Sequence, residues 1–258
     1  MAVYSHSKLS AFEQCPLRYK YRYIDRKKPD IEKTIEAHLG ITVHNTLEWL
    51  YHKVEKEKEI PNLENVINYY SNEWEKNFSE EIYFVKENLT PKDYFNKGVS
   101  FLVNYYSKYH PFDENTLELE KKIWVNLDQQ GKYKLVGYID RLVYNKETGK
   151  YEIHDYKTAG SLPTKEKIDA DRQLALYSIG VKDELKIDSE VLLIWHYLAF
   201  NKKIVSRRTN LQLEELKKQT IKLIHQIESA TEFPPKISIL CKWCEFQKSC
   251  PYFDGKNF

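Results

Sequence analysis

The sequence predicts a mixed α/β fold that carries a helical insertion, and three observations lead there. Apolar residues recur at helical spacing through roughly the first 110 positions. From residue 117 the texture changes to alternating, β-branched runs. Helical patterns then return at 165–183, between strands, and at 211–229, after them. With 258 residues the chain has room for one large domain or two small ones. This order of elements points to one, spanning 1–258.

Along the chain, residues 5–28 are expected to be helical, because Leu9, Phe12, Leu17, Tyr21 and Ile24 fall near helical spacing. A second helix is expected over 32–58, where the run "KVEKEKE" reads as a solvated face. The stretch 62–110 has further helical pattern, rich in Tyr and Trp and punctuated by Pro61, Pro91 and Pro111. It forms the insertion, about 61–112, and matches no motif. Strands are expected over 117–127, 133–144, 150–158, 189–199 and 202–209.

Composition sets the limits of function. A hydrophobic content of 41% with 14% aromatics builds a core and excludes a disordered chain. Forty basic and 38 acidic residues leave a net charge of +2, which neither demands nor forbids a nucleic-acid partner. No stretch approaches the roughly 18 consecutive apolar residues of a membrane span, and the opening "MAVYSHSKLSAFEQC" lacks the apolar run of a secretory signal. An intracellular protein without membrane contact is the expectation. Of four cysteines, Cys15 stands alone while Cys241, Cys244 and Cys250 cluster. In a reducing compartment this favours metal binding or inert thiols over disulfides.

The most informative stretch is "KLVGYIDRLVYNKETGKYEIHDYKT", Lys134 to Thr158. If "KETG" is a four-residue loop, Asn145 faces Lys150 and Asp140 lies opposite Asp155. Alternation then gathers Val136, Tyr138, Asp140, Leu142 and Tyr144 with Tyr151, Ile153, Asp155 and Lys157 on the more apolar face. Like charges opposed at about 5 Å are destabilising, and burial makes this worse. A divalent cation between the carboxylates would resolve the conflict, with Mg²⁺ or Mn²⁺ suited to such oxygen ligands. A solvent-facing hairpin with an Asp155–Lys157 salt bridge is the alternative.

"GYIDRL" followed by "IHDYKT" resembles the two core motifs of the PD-(D/E)XK nucleases, whose restriction-endonuclease-like fold is a mixed central sheet flanked by helices. The resemblance makes Asp140 the first acid and Asp155-Tyr156-Lys157 the acid-x-lysine motif. "LGITVHNTLEWL" is similar to the G-x-x-x-H-x-x-L-E helix of the RecB-like branch, placing Gly40, His44, Leu47 and Glu48. "DRQLALYSIG" resembles that branch's Q-x-x-x-Y motif, with Gln173 and Tyr177 on one helical face, where they could bind a phosphate or orient the site. "SHSKLSAFEQCP" and "CKWCEFQKSCP" resemble the cysteine segments of iron–sulfur members, the AddB-type recombination nucleases and the CRISPR spacer-acquisition nucleases.

The resemblance implies a metal-dependent deoxyribonuclease, an exonuclease, acting in recombination and repair, phage DNA processing or CRISPR adaptation. Its metal ligands would be His44, Asp140, Asp155 and the Tyr156 carbonyl, with Lys157 neutralising charge at the phosphate. Glu48 would support the site or bind a second ion. Cys15, Cys241, Cys244 and Cys250 would hold a [4Fe–4S] cluster that staples the two ends of the chain, with tetrahedral Zn²⁺ the competing chemistry. The partners implied are DNA, single-stranded or at ends, and a helicase, recombinase or CRISPR integrase. The stretch "RYKYRYIDRKK", 18–28, suits either a single-strand path or tyrosines packed against the cluster. Two other functions remain: a noncatalytic DNA-end-binding module serving such a partner, and a zinc-stapled nucleic-acid-binding protein.

Overall fold

A computed structural model describes residues 3–86 and 88–255. Glu87, inside the expected insertion, lies outside the described residues.

The helix expected over 5–28 is broken at Cys15. Ser5 caps α1 (His6–Gln14) by accepting the Lys8 N–H, and Cys15 then turns extended (φ −162°, ψ 108°). Pro16 opens α2 (Pro16–Tyr19) at a position where its missing N–H costs nothing. A π-helical turn over Lys20–Ile24 follows. The second predicted helix is α3 (Ile35–His52), and the charged run after it forms another wide turn, Lys53–Glu57. The insertion consists of two amphipathic helices, α4 (Leu63–Asn77) and α5 (Pro91–Tyr109). Thr90 and Asp93 close a capping box at the start of α5.

The strands are β1 (Val3–Tyr4), β2 (Thr116–Asn126), β3 (Lys134–Asn145), β4 (Lys150–Lys157), β5 (Val191–Tyr197) and β6 (Lys202–Ser206). Between β4 and β5 run α6 (Lys165–Ala170) and α7 (Gln173–Leu185), and α8 (Asn210–Ser229) follows β6. All six strands join one mixed sheet, parallel at β1/β3 and β4/β5 and antiparallel elsewhere. The parallel β4/β5 pair needs the crossover that α6 and α7 supply.

The site depends on how β3 shares its two edges. β2 pairs along nearly all of one edge. On the other edge β1 takes only Lys134 and Leu135, and β4 takes only Arg141 to Asn145. Residues 136–140 therefore border a gap between β1 and β4. One apolar cluster, including Leu135, Ile139, Ile153 and Trp195, packs under α1, α7 and α8. A second packs α3, α4 and α5 around Tyr156 and Leu198. The sheet thus lies between two helical layers.

The expected face of β3 needs correction. Leu135, Gly137 and Ile139 are buried, whereas Tyr138 is 54% exposed. Two residues beyond Ile139, the Arg141 guanidinium lies 4.0 Å from the Tyr51 ring on the side of the second cluster. Opposite, Glu120 of β2 adopts a left-handed backbone (φ 43°), unusual for a non-glycine residue. Simple alternation cannot cross this irregularity, so Val136 and Tyr138 do not share an apolar face with Leu142.

Candidate active site

The hairpin register has Arg141 facing His154 and Asn145 facing Lys150, as the four-residue loop requires. The ladder stops at Arg141–His154, one pair short of Asp140 and Asp155. In place of a backbone partner, the Tyr156 N–H donates to Asp140 Oδ2 at 2.9 Å. The carboxylate thus plugs the mouth of the gap, where β3 and β4 part.

α3 brings His44 over the same point. Its Nε2 lies 2.8 Å from the Tyr156 carbonyl oxygen and its Nδ1 lies 3.4 Å from Asp140 Oδ2. A carbonyl only accepts, so Nε2 carries a proton and donates to it, while Nδ1 faces the carboxylate. That juxtaposition invites a cation. Gly40, one turn earlier, faces Thr158 just beyond β4, where an added Cβ would make ordinary contact with the hydroxyl at 3.4 Å.

Asp155 is 4% exposed. Lys157 Nζ hydrogen-bonds to its Oδ1 at 2.9 Å and lies 2.8 Å from Oδ2, which has no hydrogen bond of its own. Burial pushes the Asp155 carboxyl up, Lys157 draws it back, and Asp140 adds to the rise. Burial works against the Lys157 charge, but the Asp155 carboxylate outweighs it and holds the ammonium above its ordinary pKa. Each charge thus stabilises the other against burial.

Gln173 and Tyr177 line the gap from α7. Gln173 Oε1 accepts from Lys157 Nζ at 3.3 Å. Tyr177 hydrogen-bonds to Gln173 and accepts the Tyr138 N–H, satisfying part of the bare edge of β3. Its ring lies so close to Gly137 that a Cβ there would come 2.1 Å from Cε1. The two residues thus fix the lysine and the strand edge.

Sequence reasoning missed Glu120. Its carboxylate, the His44 imidazole and the Asp140 carboxylate present ligand atoms all within 4.8 Å of one another. Burial, then the charges of Asp140 and Glu48, push its pKa up to about 7, while His44 opposes the rise. In "TLELEKKIW" it is one of two alternating glutamates. Only the pairing of Lys121 with Ile139 and Leu119 with Arg141, which brackets Glu120 beside Asp140, singles it out.

Behind the site lies a buried polar frame. Arg141, 0% exposed, pairs with Glu114 at 2.5 Å and donates to His154 Nδ1 at 2.9 Å. As arginine only donates, His154 carries its proton on Nε2, facing Glu152 at 3.0 Å. His196 Nε2 lies 2.9 Å from the same His154 Nδ1, whose lone pair Arg141 engages, and the Tyr109 hydroxyl lies 3.2 Å from His196 Nδ1. Burial holds both imidazoles well below their ordinary pKa. Since Arg141 follows Asp140 and His154 precedes Asp155, this network grips both acid-bearing strands from behind.

The four cysteines are free thiols lining one cavity of about 50 Å³ between α1, α2 and the C-terminal segment. Among the described residues, no three of these sulfurs lie within 4.8 Å of one another. The Lys236 and Ser238 N–H groups donate to the Cys15 and Cys241 sulfurs at 3.4 and 3.5 Å. Within 18–28, several side chains pack beside this cavity, while Arg22 and 24–28 are exposed. Tyr19 is buried against Phe12, Tyr21 packs on Phe246, and Arg18 and Arg22 pair with Glu245.

A mixed sheet between helical layers, with carboxylates, an imidazole and a lysine converging on one gap, has the layout of a metal-dependent nuclease. The model of the PD-(D/E)XK nuclease superfamily matches residues 3–251, and the chain belongs to that superfamily. Its members are nucleases that use divalent metal ions, and DNA is the substrate the family implies. The chain is similar to a solved structure described as a putative exonuclease from Eubacterium rectale. That match has a TM-score of 0.52 at 13% identity and covers 92% of this chain and 91% of the other. The crystal structure of SSO0001 is matched at 16% identity over 96% and 95% of the two chains, with a TM-score of 0.37. At 13% identity the likeness to the Eubacterium rectale structure concerns the fold alone. No curated protein matches the sequence. Among the described residues, no helix is long and apolar enough to cross a membrane.

Proposed function

We infer that the protein is a metal-dependent DNA exonuclease of the RecB-like branch, acting as one domain, with a structural [4Fe–4S] cluster. The observation that carries the reading is the convergence of His44, Asp140 and the Tyr156 carbonyl beside the Asp155–Lys157 pair.

The donors fit a hard divalent ion. Asp155 Oδ2 is buried without a hydrogen bond, and the His44 imidazole, Asp140 and Glu120 present ligand atoms within 4.8 Å of one another. An imidazole among oxygens favours Mn²⁺ over Mg²⁺. His44, Asp140, Asp155 and the Tyr156 carbonyl would hold the ion, with Glu120 beside them. When bound, it would lower the pKa of water and stabilise charge on the scissile phosphate. Lys157, charged and steered by Asp155 and Gln173, would neutralise the developing phosphate charge and align the attacking water. Gln173 and Tyr177 would keep that lysine and the β3 edge in place.

The four thiols line one cavity, one from the start of the chain and three from its end, which supports a cluster ligated by four thiolates, with tetrahedral zinc the competing chemistry. Two N–H groups already face sulfur. The cluster would join residue 15 to residues 241–250, cross-linking nearly the whole chain. Recombination and repair, phage DNA processing and CRISPR adaptation, with a helicase, recombinase or integrase partner, are the settings that fit such an enzyme.

The test is digestion of end-labelled single- and double-stranded DNA with Mn²⁺. Degradation from an end, abolished by EDTA and by Asp155→Asn, is expected. DNA binding without Mn²⁺-dependent cleavage would establish the noncatalytic end-binding module instead.

A further inference from the structure

The face of β2 and β3 that leads away from the carboxylates is unlike an ordinary solvent face. Along β2, buried Ile123 and Val125 alternate with exposed Lys122, Trp124 and Asn126. On β3 the matching positions are Tyr138, Val136 and Lys134, paired with them in that order. Val3 of β1, 44% exposed, pairs with Lys134 and extends the face. Trp124 is 45% exposed and Tyr138 54%. Solvent faces of antiparallel strands normally carry polar side chains, and here two large aromatic rings stand open.

Their arrangement argues against a purely structural role. Cross-strand aromatic pairs stabilise a sheet when the rings lie opposite one another. Here Trp124 faces Val136 and Tyr138 faces Lys122. Among the described residues neither ring packs against another aromatic. Lys122 Nζ lies 5.0 Å from the Trp124 ring centroid. Beyond Glu120 and Asp140, these exposed and half-exposed positions carry two lysines and no carboxylate. The row starts one two-residue step, about 6.7 Å along each strand, from those two acids.

We propose that Trp124 and Tyr138, with Lys122 and Lys134, form a stacking platform for unpaired bases of the DNA strand entering the active site. Exposed rings beside ammonium groups bind single-stranded nucleic acid by stacking on bases while meeting phosphates. Continuity with the carboxylates supplies the occupant: a strand whose phosphate reaches Asp140 lays its neighbouring nucleotides on this face. The inference rests on the nuclease reading and adds a preference for single-stranded substrate.

The experiment measures binding of fluorescein-labelled oligothymidylate and of a blunt duplex by anisotropy in EDTA, where hydrolysis stops. Trp124→Thr and Tyr138→Thr keep β-favouring residues at both positions. Each is expected to bind the single strand about 5- to 100-fold more weakly and the duplex within twofold of wild type. Leu211→Ala, at an exposed apolar position on α8, should change neither. Tryptophan quenching by the oligonucleotide should disappear in Trp124→Phe while binding largely persists. Single-strand affinities within twofold of wild type in both folded Thr variants would overturn the proposal and leave the face to a protein partner. Quenching that survives in Trp124→Phe would overturn it too. Cleavage by the wild-type protein with Mn²⁺ keeps the nuclease reading intact in either case, and a wild type that neither cuts nor binds DNA sinks both.

Discussion

The Asp140 carboxylate accepts the backbone N–H of Tyr156 at 2.9 Å, where β3 and β4 separate. One side chain therefore closes the strand ladder and supplies a negative charge to the site. The two roles can be separated. Asp140→Asn keeps an oxygen for the Tyr156 N–H while removing the charge, so its stability should stay near wild type as DNA hydrolysis falls by at least about 100-fold. Asp140→Ala leaves that N–H without its partner and should also cost about 1–3 kcal/mol. Urea denaturation of both variants, alongside cleavage rates, checks the distinction.

Lys157 offers a second separation. Its ammonium contacts Asp155 and Gln173, not His44 or Asp140. Lys157→Ala should therefore lose hydrolysis by about 100-fold or more while still binding Mn²⁺. Gln173→Ala, which only loosens the lysine, should lose less. Equal losses of metal affinity in Lys157→Ala and Asp155→Asn would contradict this division of labour.

Glu120 makes metal-free stability depend on pH. Its carboxyl is raised from 4.5 to about 7 by burial and by Asp140 and Glu48, so the folded state binds its proton more tightly than the unfolded chain. The sign follows from linkage: stability associated with this group is full below pH 4.5 and is lost as pH rises through 7. In EDTA the wild type should lose stability between about pH 5 and 8, and Glu120→Gln should flatten that slope. Denaturation midpoints at the two pH values provide the measurement.

Much of this architecture is legible in the sequence, and the failures have physical causes. The loop "KETG" fixed the hairpin register through Arg141–His154 because a four-residue turn leaves little freedom. The assignment of faces failed for Val136 and Tyr138 because the irregularity at Glu120 and Asp140 breaks the two-residue period. Only the partner strand reveals it. Glu120 was invisible for the same reason, its proximity to Asp140 being a product of β2–β3 pairing. Cys15 ended the first helix early because its backbone turns extended before Pro16. The helical pattern of 62–110 agrees with α4 and α5, but it did not reveal that Tyr105 reaches Tyr51 and Tyr156 to build the layer behind the site. The tyrosines of 18–28 had two readings: Tyr19 and Tyr21 pack on Phe12 and Phe246, while Arg22, Arg26, Lys27 and Lys28 beside them stay exposed.

The four thiols make a prediction of their own. Protein purified without oxygen should be brown, contain iron and sulfide in equal amounts, and lose colour and stability together in Cys15→Ala and Cys244→Ala. A cross-link across so long a loop should be worth about 4 kcal/mol or more. A colourless protein holding one zinc per chain would contradict the cluster.

The central claim is that a divalent ion sits between Asp140, Asp155 and His44. Titration of the purified protein with Mn²⁺, followed by electron paramagnetic resonance of the free ion, tests it most directly. The account predicts that wild type sequesters Mn²⁺ and that Asp140→Asn, folded to the same degree, loses that binding by about tenfold or more. Equal Mn²⁺ binding by the two proteins would contradict it.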